Sequence, residues 1–266
     1  MSSVKEDIVN ELFKPARKKF PRRKIYLNSI DDIWQCDLIE MHKYEKENQG
    51  IRYLFVCIDC LSKYLWIVAS KDKKQDAISK AIKNVLEESG RCPANIQTDL
   101  GKEFFNKSWK KIMKDYKINH FPSYNKTKSA IVERVNRTIK EKMFKLFYLR
   151  GNCKYFDKLQ DIVKEYNNSF HRTIKMTPSE ATKEREEEIL FNVYSNCPKE
   201  YVKSTKFKIG EIVRVSAEKS LFEKGYTPRW SCELFEIIKV FKLKPETYKI
   251  KDYRGEEIKG KRRRRK

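Results

Sequence analysis

The stretch IWQCDLIEM, residues 33–41, decides how this chain is read. Its isoleucines, leucine and tryptophan predict a strand, and in the middle of it stands one acid, Asp37, between Cys36 and Leu38. RYLFVCID (52–59) and KYLWIVAS (63–70) have the same texture, and ENQG (47–50) supplies a turn between the first two. DAISKAIKNVLEESG (76–90) changes period: Ile78, Ala81, Ile82 and Val85 fall at helical spacing and Gly90 is a stop. NIQTD (95–99) predicts a fourth strand ending at Asp99, SWKKIMKDYK (108–117) a helix, and NHFPSY (119–124) a short fifth strand. This order implies an α/β fold, a mixed sheet with helices on its faces. A long helix over 130–149 follows, with Val132, Val135, Ile139, Met143 and Leu146 as its core stripe, then a second over 155–170.

The flanks read differently. KPARKKFPRRK (14–24) holds seven positive charges and no acid, broken by Pro15 and Pro21, so residues 1–30 are predicted to be a basic arm with Arg22 and Arg23 on phosphates. The predicted core spans 31–184. Residues 185–205 have no clear period and include Asn196, Cys197 and Pro198, which predicts a linker. FKIGEIVRVSA (207–217), SCELFEIIKVFKL (231–243) and TYKIKDYRGEEI (247–258) read as strands, with Tyr248 and Ile250 alternating with Lys249 and Lys251. A small β-barrel over 206–258 is the economical reading. KGKRRRRK (259–266) is too charged to fold alone and suits nuclear import or DNA affinity.

Composition narrows the function. The 266 residues carry 60 Lys+Arg against 37 Asp+Glu, a net charge of +23, which calls for a polyanionic partner such as nucleic acid. No apolar run approaches the roughly 20 residues that span a bilayer, and MSSVKEDIVNEL lacks the apolar core of a secretory signal. Seven cysteines, an odd number, argue against a disulfide framework and for a reducing compartment. Cys57 and Cys60 sit three apart at a strand, so they face opposite sides and are badly placed to share a metal.

Three acids stand out by placement: Asp37 inside an apolar strand, Asp99 closing the fourth strand, and Glu133 in the first turn of the long helix. Carboxylates in such positions are costly unless compensated, and hard oxygen ligands suit Mg²⁺ or Mn²⁺. Two such ions, about 3.5–4 Å apart, can bracket a phosphodiester and stabilise both attacking and leaving oxygens.

In this order, WQCDLIEM, FVCIDCLSKYLW, IQTDLGKEF, KSAIVERVNRT and FHRTIKMTPSEA resemble the retroviral-type integrase core, most closely that of Polinton/Maverick DNA transposons. GEIVRVSAEKSLFEKGYTPRWSCELFEIIKV resembles the small C-terminal SH3-like or chromo-like barrel of the same proteins. The resemblance implies a ribonuclease-H-like, five-stranded mixed sheet and places the family's acidic triad on Asp37, Asp99 and Glu133, as catalytic residues and as ligands of two Mg²⁺ (or Mn²⁺). It further implies an enzyme that trims element DNA ends and joins them to target DNA, acting as a homo-oligomer on double-stranded DNA in the nucleus or wherever the element replicates. Neither a membrane nor a small-molecule cofactor is expected. The zinc-binding N-terminal domain of retroviral integrases has no match here.

Each residue also has a plainer reading. Asp99 before Leu100 and Gly101 is ordinary turn chemistry, and Glu133 is an acid favoured at a helix N-terminus. Glu133, Arg137 and Lys140 nevertheless form one stripe at i, i+4 and i+7, which sets an acid beside two DNA contacts. Asp59 reads as a structural acid, Glu103 as an accessory group, and Asn136 as either a phosphate contact or a structural bond. His171 with Arg172 suits packing or DNA contact, and Trp34, Trp66, Trp109 and Trp230 suit the core. Two other functions stay open: a decayed or domesticated copy that only binds DNA, and a ribonuclease acting on RNA–DNA hybrids.

Overall fold

The computed structural model describes residues 2–14, 25–123, 129–195, 205–217, 228–242 and 246–258. In chain order the elements are α1 (Ser2–Phe13), β1 (Ile33–Glu40), β2 (Tyr53–Asp59), β3 (Leu65–Ser70), α2 (Gln75–Ser89), β4 (Asn95–Thr98), α3 (Lys107–Asp115), β5 (Asn119–Pro122) and α4 (Ala130–Arg150). They continue with α5 (Leu159–Asn167), α6 (Glu186–Tyr194), β6 (Ile212–Val213), β7 (Phe235–Phe241) and β8 (Thr247–Lys251). Arg22, Arg23 and the terminal KGKRRRRK lie outside the described residues.

The larger of two compact units holds residues 26–197. Its five-stranded sheet runs β3-β2-β1-β4-β5; β1, β2 and β3 pair antiparallel, while β4 lies parallel to both β1 and β5. Alternation along the strands sorts two cores. Trp34 and Cys36 of β1 and Phe55 and Cys57 of β2 face α2 and α3, joining Ile78, Ile82 and Trp109. Ile39 of β1 and Leu54, Val56 and Ile58 of β2 face α4 and α5, joining Val132, Val135, Ile139 and Met143. Each such buried aliphatic or aromatic side chain contributes about 1.5–3 kcal/mol, so these stripes fix helix against sheet. The α4 stripe ends on Phe147 rather than Leu146, which is only half-buried. Gly90 caps α2 in the left-handed region at φ 63°, as its place after the stripe predicts.

The expected arm and linker both enter a third core. Leu27 and Ile30 are buried with Ile174, Met176 and Ile189, the Leu27 amide donates to the Tyr194 hydroxyl at 2.8 Å, and the Ile30 amide donates to Glu186 at 2.7 Å. Residues 186–194 of the expected linker are therefore helical. Its sequence hides this because Ile189 alone is fully buried on α6, too little for a legible stripe. Cys57 and Cys60 do face different cores, and the described cysteines are free thiols.

The second unit joins residues 1–25 to 198–266. Its sheet runs β6-β7-β8, all antiparallel, around Phe235, Ile237, Tyr248 and Ile250. Where a barrel is expected over 206–258, the described residues form only this three-stranded sheet, of which β6 holds just Ile212 and Val213. The arm contributes here too: the Leu12 carbonyl of α1 accepts from the amides of Arg229 and Trp230, and Glu11 pairs with Arg214 at 3.1 Å. No described helix is long and apolar enough to cross a membrane.

Candidate active site on strand β1 and helix α4

Register brings the first two acids together. Gln35 of β1 lies opposite Gln97 of the parallel strand β4. The same offset, carried two residues on, sets Asp37 beside Asp99, one residue past the end of β4. Two residues is one full period of a strand, so Gln35, Asp37 and Ile39 share the face that α4 covers. Glu133 stands on the exposed side of the first turn of α4.

Asp37 feels the charge of both other acids. The pKa of Asp37 is raised above the ordinary carboxylate value of 3.8, first by burial and then by the negative charges of Asp99 and Glu133. Two hydrogen bonds pull the other way: the Leu38 amide donates to Oδ1 at 2.9 Å and the Asn136 side chain donates to Oδ2 at 2.8 Å. The Asp99 carboxylate accepts from the Gly101 amide at 2.9 Å, closing the turn that its Asp-x-Gly spacing predicts. As the side chains stand, no group of three or more His, Cys, Asp or Glu among the described residues is gathered closely enough to hold a metal ion. The donor set still suits one: three carboxylates, all oxygen, two of them acting on the third as like charges.

Arg137 and Lys140 extend from Glu133 along the solvent side of α4, both exposed. Glu103 is not among the groups acting most strongly on Asp37. Its carboxyl lies over Gly101, where an added Cβ would meet it at 2.7 Å. Asp59 is structural: fully buried, it accepts from Arg91 at 2.7 Å and from the Ser62 hydroxyl at 2.5 Å. Trp34 and Trp109 are fully buried, whereas Trp66 and Trp230 are half-buried. His171 is half-buried, and burial with the nearby charge of Lys63 lowers its pKa to about 4, so it stays neutral near pH 7.

Three residues around the acids were not singled out in the sequence. Gln35 and Gln97 bond to each other at 2.9 Å. His120, neutral because burial lowers its pKa to about 4, lies 2.9 Å from the Thr98 hydroxyl. That hydroxyl donates to the Asp99 carbonyl at 2.8 Å, so it accepts from His120 and selects the Nε2–H tautomer. Register with Asp37 and Asp99 was the available signal for the glutamines; His120 gave none.

Residues 28–126 match the integrase core domain family. That stretch includes Asp37 and Asp99 and stops before Glu133. A transposon-derived protein of Caenorhabditis elegans is 35% identical over 195 residues, 73% of this chain and 65% of that protein. The Pro-Pol polyprotein of simian foamy virus type 3 is 29% identical over 190 residues, 70% of this chain and 14% of the polyprotein. The chain thus spans less than two thirds of either relative's length. A chain of the simian T-cell lymphotropic virus intasome, solved in complex with the PP2A regulatory subunit B56 gamma, superposes with a TM-score of 0.66. It is 16% identical, and the alignment covers 99% of this chain and 91% of that one. The integrase core and the mixed five-stranded sheet together make the fold ribonuclease-H-like.

Proposed function

We propose that the protein is the integrase of a DNA transposon of the Polinton/Maverick kind, a polynucleotidyl transferase that trims the element's DNA ends and joins them to target DNA. The observation that carries this reading is that Asp99, just past the end of β4, and Glu133, on α4, both act as like charges on Asp37 of β1. The integrase core match and the transposon-derived relative agree with it. Asp37, Asp99 and Glu133 would hold a pair of Mg²⁺ (or Mn²⁺) ions, which supply Lewis-acid activation and charge stabilisation for in-line phosphoryl transfer. The chain's own part is to fix those carboxylates: Leu38 and Asn136 orient Asp37, the Gly101 amide orients Asp99, and the stripe on α4 sets Arg137 and Lys140 beside Glu133 for phosphate contact.

Much of the affinity for DNA comes from Lys and Arg on phosphates, as the net charge of +23 implies. Replacing Arg137 or Lys140 by Ala should each lower the slope of log affinity against log salt by about 1. We place the protein in the nucleus as a homo-oligomer that holds two DNA ends, with the three-stranded sheet as part of an SH3-like barrel on DNA.

The experiment is Mg²⁺- or Mn²⁺-dependent nicking and joining of plasmid DNA, with Asp99→Asn beside the unaltered protein. Activity in the unaltered protein, a fall of about 10³-fold or more in the variant, and unchanged DNA affinity are expected. DNA binding with no nicking by either protein would instead favour a decayed copy that only binds.

A further inference from the structure

The N-terminus of α4 is capped from the sheet. Ser129 occupies the N-cap position and is of a type that normally accepts from the second or third amide of a helix, yet its hydroxyl makes no cap bond and, among the described residues, has no partner. Both of those amides are served by one atom of β1: the Gln35 side-chain oxygen accepts from Ile131 at 3.2 Å and from Val132 at 3.1 Å. Gln35 is fully buried, and its NH₂ donates to the Gln97 side chain at 2.9 Å, so the amide cannot turn away without losing all three bonds. Glu133 is the next residue along α4. One turn further, Asn136 donates to Asp37. Strand β1 therefore grips α4 at two points, through Gln35 below Glu133 and through Asp37 above it.

We infer that Gln35 is a positioning residue, whose amide clasps the first turn of α4 to β1 and so sets where Glu133 stands relative to Asp37 and Asp99. The inference rests on the reading of those three acids as the site of metal-dependent DNA joining. A buried glutamine is a costly choice at a strand position whose neighbours along the same face include Ile39, unless each of its polar atoms is bonded. Here each is bonded, and two of the three bonds end on the helix that bears Glu133. An apolar residue would fill the space and leave two helix amides and the Gln97 side-chain oxygen without these partners.

The test uses the full chain and two measurements on Gln35→Leu: amide hydrogen exchange at Ile131 and Val132, and calorimetric binding of MnCl₂. Ile139→Val, a small loss from the core stripe of the same helix, is the control for ordinary destabilisation. Gln35→Leu should lose protection at both amides and bind Mn²⁺ about 10–100-fold more weakly, the usual cost of removing a group that orients a metal ligand. The control should keep both. Should Gln35→Leu fail to fold, Gln97→Leu removes the bond that aims the Gln35 amide and should weaken Mn²⁺ binding in the same direction by a smaller factor. Unchanged protection at Ile131 and Val132 would overturn the clasp. Lost protection with unchanged Mn²⁺ affinity, or an equal loss of affinity in Ile139→Val, would overturn the positioning role. If the unaltered protein takes up no Mn²⁺, the reading of the three acids as ligands fails, and the exchange data alone then decide the clasp.

Discussion

Asp59 at the end of β2 and Asp37 in the middle of β1 are acids of the same sheet, and the chain surrounds them with opposite charges. Asp59 faces Arg91, whose guanidinium bridges it at 2.7 Å and Asp31 at 2.6 Å. The same guanidinium lies 5.0 Å from the Trp66 ring and within 6 Å of Trp34 and Tyr64, so aromatic faces hold it where the acids need it. Burial raises the Asp59 pKa, and the Ser62 hydroxyl and Arg91 pull it back, while Asp31 and Asp59 raise that of Arg91. Asp37 instead meets Asp99 and Glu133, and both push its pKa the same way as burial does. One cluster carries its compensating charge within the fold. In the other, the two charges that act on Asp37 are both negative.

The largest effect should come from removing that arginine. Arg91→Met keeps the apolar stem under the rings but strands two buried carboxylates, and breaking a buried pair in this way costs about 3–5 kcal/mol. Urea unfolding near pH 7 measures it. A loss under about 1 kcal/mol would mean that Asp31 and Asp59 manage without Arg91, and the contrast between the clusters would collapse.

The second effect is smaller and has the opposite sign. In the absence of divalent ions, Asp37→Asn should stabilise the protein by about 1 kcal/mol, the scale on which function commonly costs stability. Hydrogen bonding can follow the change: the Asn136 side-chain oxygen is buried without a partner among the described residues and would accept from the new amide once its own amide rotates. The pH dependence fixes the cause. A carboxylate whose folded pKa is raised destabilises the fold above that pKa and does so no longer below the unfolded value. The advantage of Asn should therefore be full at neutral pH, shrink as the pH falls through the raised pKa, and vanish below 3.8. Unfolding curves at pH 7 and pH 3.5 give the difference directly. Destabilisation at pH 7 would show that Asp37 is held by bonds that matter more than its charge.

Much of this contrast is legible in the sequence, though unevenly. Asp37 between Cys36 and Leu38 announces itself because an acid inside a strand has no local explanation, and Asp99 and Glu133 follow from strand and helix ends. Asp59 looks the same in one dimension. What separates the two is Arg91, which stands 32 residues away, in the turn after α2, and carries no mark of its partners. Gln35 and Gln97 are hidden for a similar reason: a glutamine in a strand reads as a solvent-facing residue until the parallel register puts one against the other. Helix α6 is missed because a single buried residue makes no period. Patterns that repeat along the chain are readable; a partner fixed only by the packing of distant segments is not.

The smallest effect separates the clusters by their access to solvent. Glu133 is exposed and Asp99 half-buried, so part of the repulsion on Asp37 crosses water, whereas Asp59 is fully buried and its Arg91 guanidinium largely so. Raising monovalent salt to 1 M shortens the screening length to about 3 Å. The advantage of Asp37→Asn should narrow by a few tenths of a kcal/mol, on the order of an exposed charge pair, because only the like-charge part is screened while the larger burial part stays. The penalty of Arg91→Met should hardly move, since a stranded buried carboxylate owes its cost to lost hydration rather than to charges across solvent. Paired unfolding series at 0.05 M and 1 M salt read both. Equal salt sensitivity in the two variants would place the two clusters in the same electrostatic environment, and the difference between them would then have to lie in their hydrogen bonds alone.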